Sequence, residues 1–251
     1  MTRLPSIDQS REFLRDTIRQ QIDFSGTDQQ RGVPRPPVQK PIPAEAARFD
    51  LPRPDAWQLG TLPDLQTVIG SRRSWRSFRD ESLALDELAF LLWATQGVRQ
   101  GAAPNVFRTV PSAGCRHALE TYLCLFNVAG LAPGFYRYLP LEHQLVWEFS
   151  ETQVHRKLTA ATLGQAFVAR AAAVFFWTTL PYRMEWRYGL AAHRVIALDA
   201  GHVCQNLYLA STAIGAGTCA VAAYDQQAMD RLLRVDGRDE FTLYLAPVGK
   251  V

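Results

Sequence analysis

Seven prolines between Pro34 and Pro54 divide this chain before any other signal is weighed. The densest part, residues 32–43 (GVPRPPVQKPIP), is hydrophilic. Each proline fixes its φ and removes a backbone N–H, so the stretch cannot be helix and is a poor central strand. It predicts an extended connector. Upstream, Phe13, Leu14, Ile18 and Ile22 recur at helical spacing, after Ser6 with Gln9 three residues on, a capping-box pattern. Residues 1–60 are therefore expected to form a helix and proline-rich arm, strapped across the body or across a partner subunit. Residues 61–251 form the body.

At 251 residues, 47% hydrophobic and 20% charged, the chain has the apolar material for one sizeable core, which excludes wholesale disorder. Its longest apolar run, residues 171–177, has seven residues against the roughly 20 of a membrane-spanning helix. The N-terminus lacks the apolar stretch of a secretory signal, so the expectation is a cytoplasmic protein with no membrane partner. A net charge of +3 gives no argument for nucleic acid. Of 27 basic residues only Lys40, Lys157 and Lys250 are lysines. Clustered arginines suit planar or phosphate-bearing anions. The four cysteines show neither a C-x-x-C nor paired histidines, so no metal site is expected.

Apolar spacing predicts a helix over Leu85–Thr95 that stops at Gly97, and helices over 152–164, 182–198, 199–214 and 226–233. Strands are expected at 119–128, as a pair within 134–147 around Pro140, and at 171–179, 218–223 and 241–248. Helices and strands mix without strict β-α-β alternation, which favours α+β. Residues 215–220 (GAGTCA) fit a dinucleotide fingerprint, but they follow a helix and open a strand. That order is reversed, so the glycines read as a helix stop.

Three segments could carry chemistry. Residues 71–79 (SRRSWRSFR) place four guanidiniums and three hydroxyls within nine positions, an anion cradle or a solvated basic turn. Pro111, Ser112, Ala113 and Gly114 precede a strand. Such small residues let backbone approach a flat ligand, though an ordinary turn has the same composition. Arg187 and Tyr188 could polarise a substrate and exchange a proton, with His193 as a further base. An arginine does not deprotonate, so Tyr188 or a water would have to take the proton. Packing roles for Tyr188 and the histidines remain open, as does pairing of Arg187 with Glu185 or Asp199.

The order SRRSWRSF (71–78), LLWATQGV (91–98), VPSAGCRHALETYL (110–123), WRYGLAAHR (186–194), LDAGHVCQNLYLA (198–210) and LYLAPVG (243–249) resembles the nitroreductase-like flavoproteins, within them the SagB-type azoline-oxidising dehydrogenases. The resemblance spans about 62–250 and leaves the arm unexplained. It implies a nitroreductase-like α+β fold, with an antiparallel-dominated central sheet flanked by helices, and a homodimer holding FMN at the subunit interface. It puts Arg72, Arg73, Ser74 and Arg76 on the flavin-binding segment and Lys250 near the family's late phosphate contact. It lays Pro111–Gly114 against the flavin ring, commonly from the other subunit. Arg187–Tyr188 falls where azoline-oxidising members carry Lys-Tyr. The activity implied is two-electron oxidation of an azoline or other amino-acid-derived heterocycle in peptide natural-product biosynthesis, with possible partners in a biosynthetic complex. An NAD(P)H-dependent nitro- or quinone reductase and a catalytically retired scaffold subunit are the alternatives.

Overall fold

The two most apolar segments become the two innermost strands. The computed structural model describes residues 4–102 and 105–251. In it β4 (Leu119–Leu125) and β7 (Ala173–Thr179) are buried at every position. Their side chains alternate between two cores. Leu119, Leu123, Phe175 and Trp177 join one cluster; Tyr122, Cys124, Val174 and Phe176 join the other. A strand covered on both faces reads as an unbroken apolar run, which is how both segments look in the sequence.

Around this pair the main sheet adds β5 (Gly134–Leu139), β6 (Gln144–Phe149), β8 (Ala216–Thr218), β9 (Phe241–Lys250) and, from the arm, β1 (Arg48–Asp50). Their order is β1-β6-β5-β4-β7-β9-β8, with every neighbouring pair antiparallel. A separate ribbon pairs β2 (Val98–Ala102) with β3 (Asn105–Arg108). One face packs on α3 (Leu85–Gln96) and α6 (Ala192–Ala213), through residues such as Leu88, Leu92, Val203 and Leu207. The other face packs on α4 (Val154–Ala161) and α7 (Gln226–Leu233), through Leu158, Met229 and Leu233. This is the α+β arrangement expected, an antiparallel sheet flanked by helices.

Several boundaries differ from the sequence reading. Instead of one N-terminal helix there are two short ones, α1 (Ile7–Glu12), with both hydrogen bonds of the Ser6–Gln9 capping box, and a 3-10 turn at Thr17–Gln21. The expected helix over 182–198 breaks at Gly189 (φ 51°, ψ −134°), a conformation closed to side chains with a Cβ. The result is α5 (Tyr182–Tyr188), and α6 then begins at Ala192 and absorbs the helix expected from 199. Gly97 does cap α3, but with extended backbone (φ −60°, ψ 148°) rather than a left-handed turn. A Cβ there would lie 2.4 Å from the Trp93 ring, so close approach explains this glycine. The strand expected over 218–223 is displaced upstream to β8, which shares only Thr218 with it, and α2 (Leu65–Ser71) was not foreseen.

The arm is laced to the body by side chains that seek its carbonyls. The Trp186 indole N–H donates to Val33 O (2.8 Å), Arg108 to Val38 O (2.8 Å) and Arg137 to Pro41 O (3.0 Å). Lys40 N–H donates to the carboxylate of Glu120 (2.8 Å), whose same oxygen takes Arg183 at 2.5 Å. Arg137 stands 3.8 Å from the other oxygen. Glu120, Arg137 and Arg183 are all buried. Removing one partner of a buried ion pair leaves charge uncompensated, at a cost of about 3–5 kcal/mol. Glu120→Ala is therefore expected to destabilise the fold by that amount in urea unfolding. A loss below about 1 kcal/mol, the scale of an exposed pair, would show that the arginines find other partners.

Candidate functional site

The arginine-rich segment leaves the end of α2 and runs along the β8–β9 edge. Trp75 N–H donates to Thr218 O (2.9 Å), and Arg79 N–H donates to Lys250 O (2.9 Å). Room for its two aromatic residues comes from missing side chains: Trp75 covers Gly217 and Phe78 covers Gly249. With the rings turned inward, Arg73, Ser74 and Arg76 are exposed and Arg72 is half-buried. Arg72 lies over the Tyr208 ring (5.3 Å) and Arg73 over the Trp75 ring (5.2 Å). Tyr208 OH accepts from Ala220 N–H (2.8 Å) and lies 2.9 Å from Ser74 Oγ. The phenol proton is free to point at Ser74, which leaves the serine hydroxyl to donate outward. Among the described residues no carboxylate pairs with Arg72, Arg73 or Arg76. The segment therefore fits an anionic group such as a phosphate. Lys250 lies beside it by its backbone, while its ammonium is paired with Glu87.

A second group forms around the small-residue loop. Gly114 (φ 57°), Cys115 (φ 52°) and His117 (φ 48°) are all left-handed, which folds the loop back on itself. Asp199 on α6 is a buried carboxyl close to Ser112 and Ala113; burial raises its pKa against their opposing pull, and its Oδ2 has no hydrogen-bond partner. Ser112 Oγ accepts His117 N–H (3.0 Å). The His117 ring donates Nε2–H to Val106 O (2.8 Å). Burial, with Arg108 next in weight, holds its pKa at about 3.

Gly114 is where this loop meets α5. A Cβ on it would lie 2.7 Å from Tyr188 OH and 2.9 Å from Arg187 Cδ and Nε. The loop, Arg187 and Tyr188 thus share one corner, with the guanidinium 5.5 Å from the Tyr188 ring centre. Arg187 pairs with neither Glu185 nor Asp199 there; Glu185 pairs with His193 instead (2.8 Å). His193 instead lines a groove of about 810 Å³, shared with Pro36, Pro37 and Tyr182. Sequence reasoning passed over Tyr208, which orients Ser74, and weighed Asp199 only as a partner for Arg187, not as a buried carboxyl behind the loop; both lie within the segment 198–210. It also passed over Arg116, which is buried beside Trp186.

Both groups hang on α6, from opposite sides. Asp199 and Tyr208 are nine residues apart, two and a half turns, so they project from opposite faces of the helix.

The family model described as the nitroreductase family matches residues 69–250. The chain is 36% identical over 194 residues to a Methanocaldococcus jannaschii protein named as a nitroreductase, covering 75% of this chain and 94% of that one. A Ralstonia eutropha crystal structure, also named as a nitroreductase, superposes with a TM-score of 0.67 at 24% identity, over 87% of this chain and 98% of that one. A chain of the Escherichia coli microcin synthetase complex with truncated pro-MccB17 bound has the same fold, at a TM-score of 0.61 and 19% identity, over 85% of this chain and 79% of that one. Among the described residues no helix is long and apolar enough to cross a membrane.

The His117 assignment carries a pH consequence. A ring held neutral down to about 3, against its ordinary 6.5, means that the unfolded chain binds one more proton between those values. Its stability contribution is complete above 6.5 and is lost as pH falls toward 3. His117→Gln keeps a donor for Val106 O and removes the titration. Urea unfolding across this range is expected to show a pH slope shallower by about one proton in the variant. An unchanged slope would mean that the ring already accepts a proton in the fold.

Proposed function

From a chain that belongs to the nitroreductase family, we propose a cytoplasmic, FMN-dependent oxidoreductase of the SagB type. It would take two electrons from an azoline or other amino-acid-derived substrate in peptide natural-product biosynthesis. The observation that carries this reading is the contact at Gly114, where backbone without a side chain meets a phenol and a guanidinium. Such a corner offers a flat surface, a proton-transfer group and a fixed positive charge together.

The residues divide the work as follows. Arg72, Arg73 and Ser74 would hold the cofactor's phosphate, and Arg76 would set a positive charge near its ring. Pro111, Ser112, Ala113 and Gly114 would lie against the ring, with the buried carboxyl of Asp199 behind the loop. Tyr188, or a water it holds, would take the substrate's Cα proton, and Arg187 would orient the substrate. His193, tied to Glu185 and facing the proline-lined groove, is a weaker candidate base. When bound, FMN would supply the two-electron acceptor, which oxygen regenerates.

The opposite placement of the two groups on α6 supports a homodimer, with the cradle of one copy facing the loop of the other. Leu65, Ile69 and Leu198 add exposed apolar surface for a second copy to cover. The fold shared with a chain of the microcin synthetase complex supports a place in a larger biosynthetic complex. A second reading, a reductase that draws on NAD(P)H, is favoured by the 36% identity to the M. jannaschii protein.

Arg76→Ala, and Arg72→Ala combined with Arg73→Ala, are each expected to weaken FMN at least about tenfold, the scale of one charge-assisted bond. Titration by flavin fluorescence measures this, and unchanged affinity in both would remove the cradle assignment. Tyr188→Phe is expected to keep FMN yet slow substrate-driven flavin reduction by about 10²-fold in anaerobic stopped flow. Near-normal reduction would place the base elsewhere; rapid reduction by NAD(P)H alone would favour the second reading.

A further inference from the structure

Arg116 is a buried charge whose hydrogen bonding is incomplete. It is 1% exposed, and its Nε and Nη2 have no hydrogen-bond partner. The guanidinium lies 5.0 Å from the Trp186 ring centre. Burial, then Arg35, Arg187 and Arg183, pull its pKa down to about 10. Arg183 is neutralised by Glu120. Arg35 donates to Cys115 O at 3.0 Å, and Arg187 lies exposed against Gly114. Among the described residues, neither Arg116 nor Arg187 pairs with a carboxylate. Buried guanidiniums are ordinarily paired, because an unpaired one loses hydration without return. Asp199, the buried carboxyl beside Ser112 and Ala113, forms no ion pair with either arginine, and its Oδ2 is without a hydrogen-bond partner.

We propose that this corner is a carboxylate site: Arg187 at the surface holds a planar carboxylate of the substrate against the Gly114–Cys115 turn, and the buried, unpaired charge of Arg116 behind it strengthens the attraction. The inference rests on the redox reading above and gives it a substrate class, an oxidisable ring carried close to a free carboxylate. The exposed Arg187 guanidinium, over the Tyr188 ring, presents its N–H groups in one plane, a geometry that fits the two oxygens of a carboxylate better than the tetrahedral oxygens of a phosphate. With Tyr188 OH at the same glycine, a carboxylate bound here would bring the atoms next to it within reach of the phenol.

Sodium benzoate, neutral benzamide and inorganic phosphate test the site on the purified protein with its FMN, by calorimetry and tryptophan fluorescence. Benzoate is expected to bind saturably, and at least about tenfold more weakly in both Arg187→Gln and Arg116→Gln. Arg187 is exposed, so its variant keeps the test valid even where Arg116→Gln fails to fold. Benzoate affinity unchanged in Arg187→Gln would overturn the proposal, as would benzamide or phosphate binding as tightly as benzoate. A preparation that holds no flavin but keeps Arg187-dependent benzoate binding would refute the redox reading and support the carboxylate site.

Discussion

Everything near the small-residue loop depends on the buried carboxylate of Glu120. It stands on the central strand β4 and gathers a backbone N–H from the arm, a guanidinium from α5 and a guanidinium from β5. Three segments far apart in sequence are thereby fixed to one point on a fully buried strand. The stem of α5 is held through Arg183, and Arg187 and Tyr188 follow one turn later on the same helix. Arm, helix and sheet cannot shift independently while that charge is balanced. The corner is positioned from the core outward rather than by its own loop.

The legibility of this fold follows how local each signal is. The strands β4 and β7 and the helix α7 were readable because burial on both faces, or on one helical face, writes its period directly into the residues. The break at Gly189 was not, since a single glycine inside an apolar helical pattern does not disclose its φ. β1 was hidden because three residues are too few to show a period, and its pairing with β6 is a long-range event. α2 was hidden because only Val68 of its seven residues is buried, so no apolar face marks it.

In the candidate site, residue type was legible and partnership was not. The arginine cluster and the small-residue loop stood out by composition, and the resemblance placed both. That Lys250 is paired with Glu87, that His193 is paired with Glu185, and that Arg116 is buried without an acid are facts of three-dimensional approach. Sequence separation gave no hint of them: Lys250 and Glu87 are 163 residues apart. Gly114 shows the same limit. Its glycine was visible, but the reason for it, a phenol and a guanidinium inside the space of a missing methyl, was not.

The proline arm also settles how the sheet ends. β1 is an edge strand of three residues, with Pro43 before it and Pro52 and Pro54 after it. At the far edge β8 is equally short, and the backbone at Ser74 and Trp75 already bridges to Thr218. Open edges are where sheets recruit foreign strands, and they do so through rows of unpaired N–H groups. Neither edge of this sheet offers such a row. The residues that make the arm a strap also guard a seven-stranded antiparallel sheet against growing by edge-to-edge polymerisation.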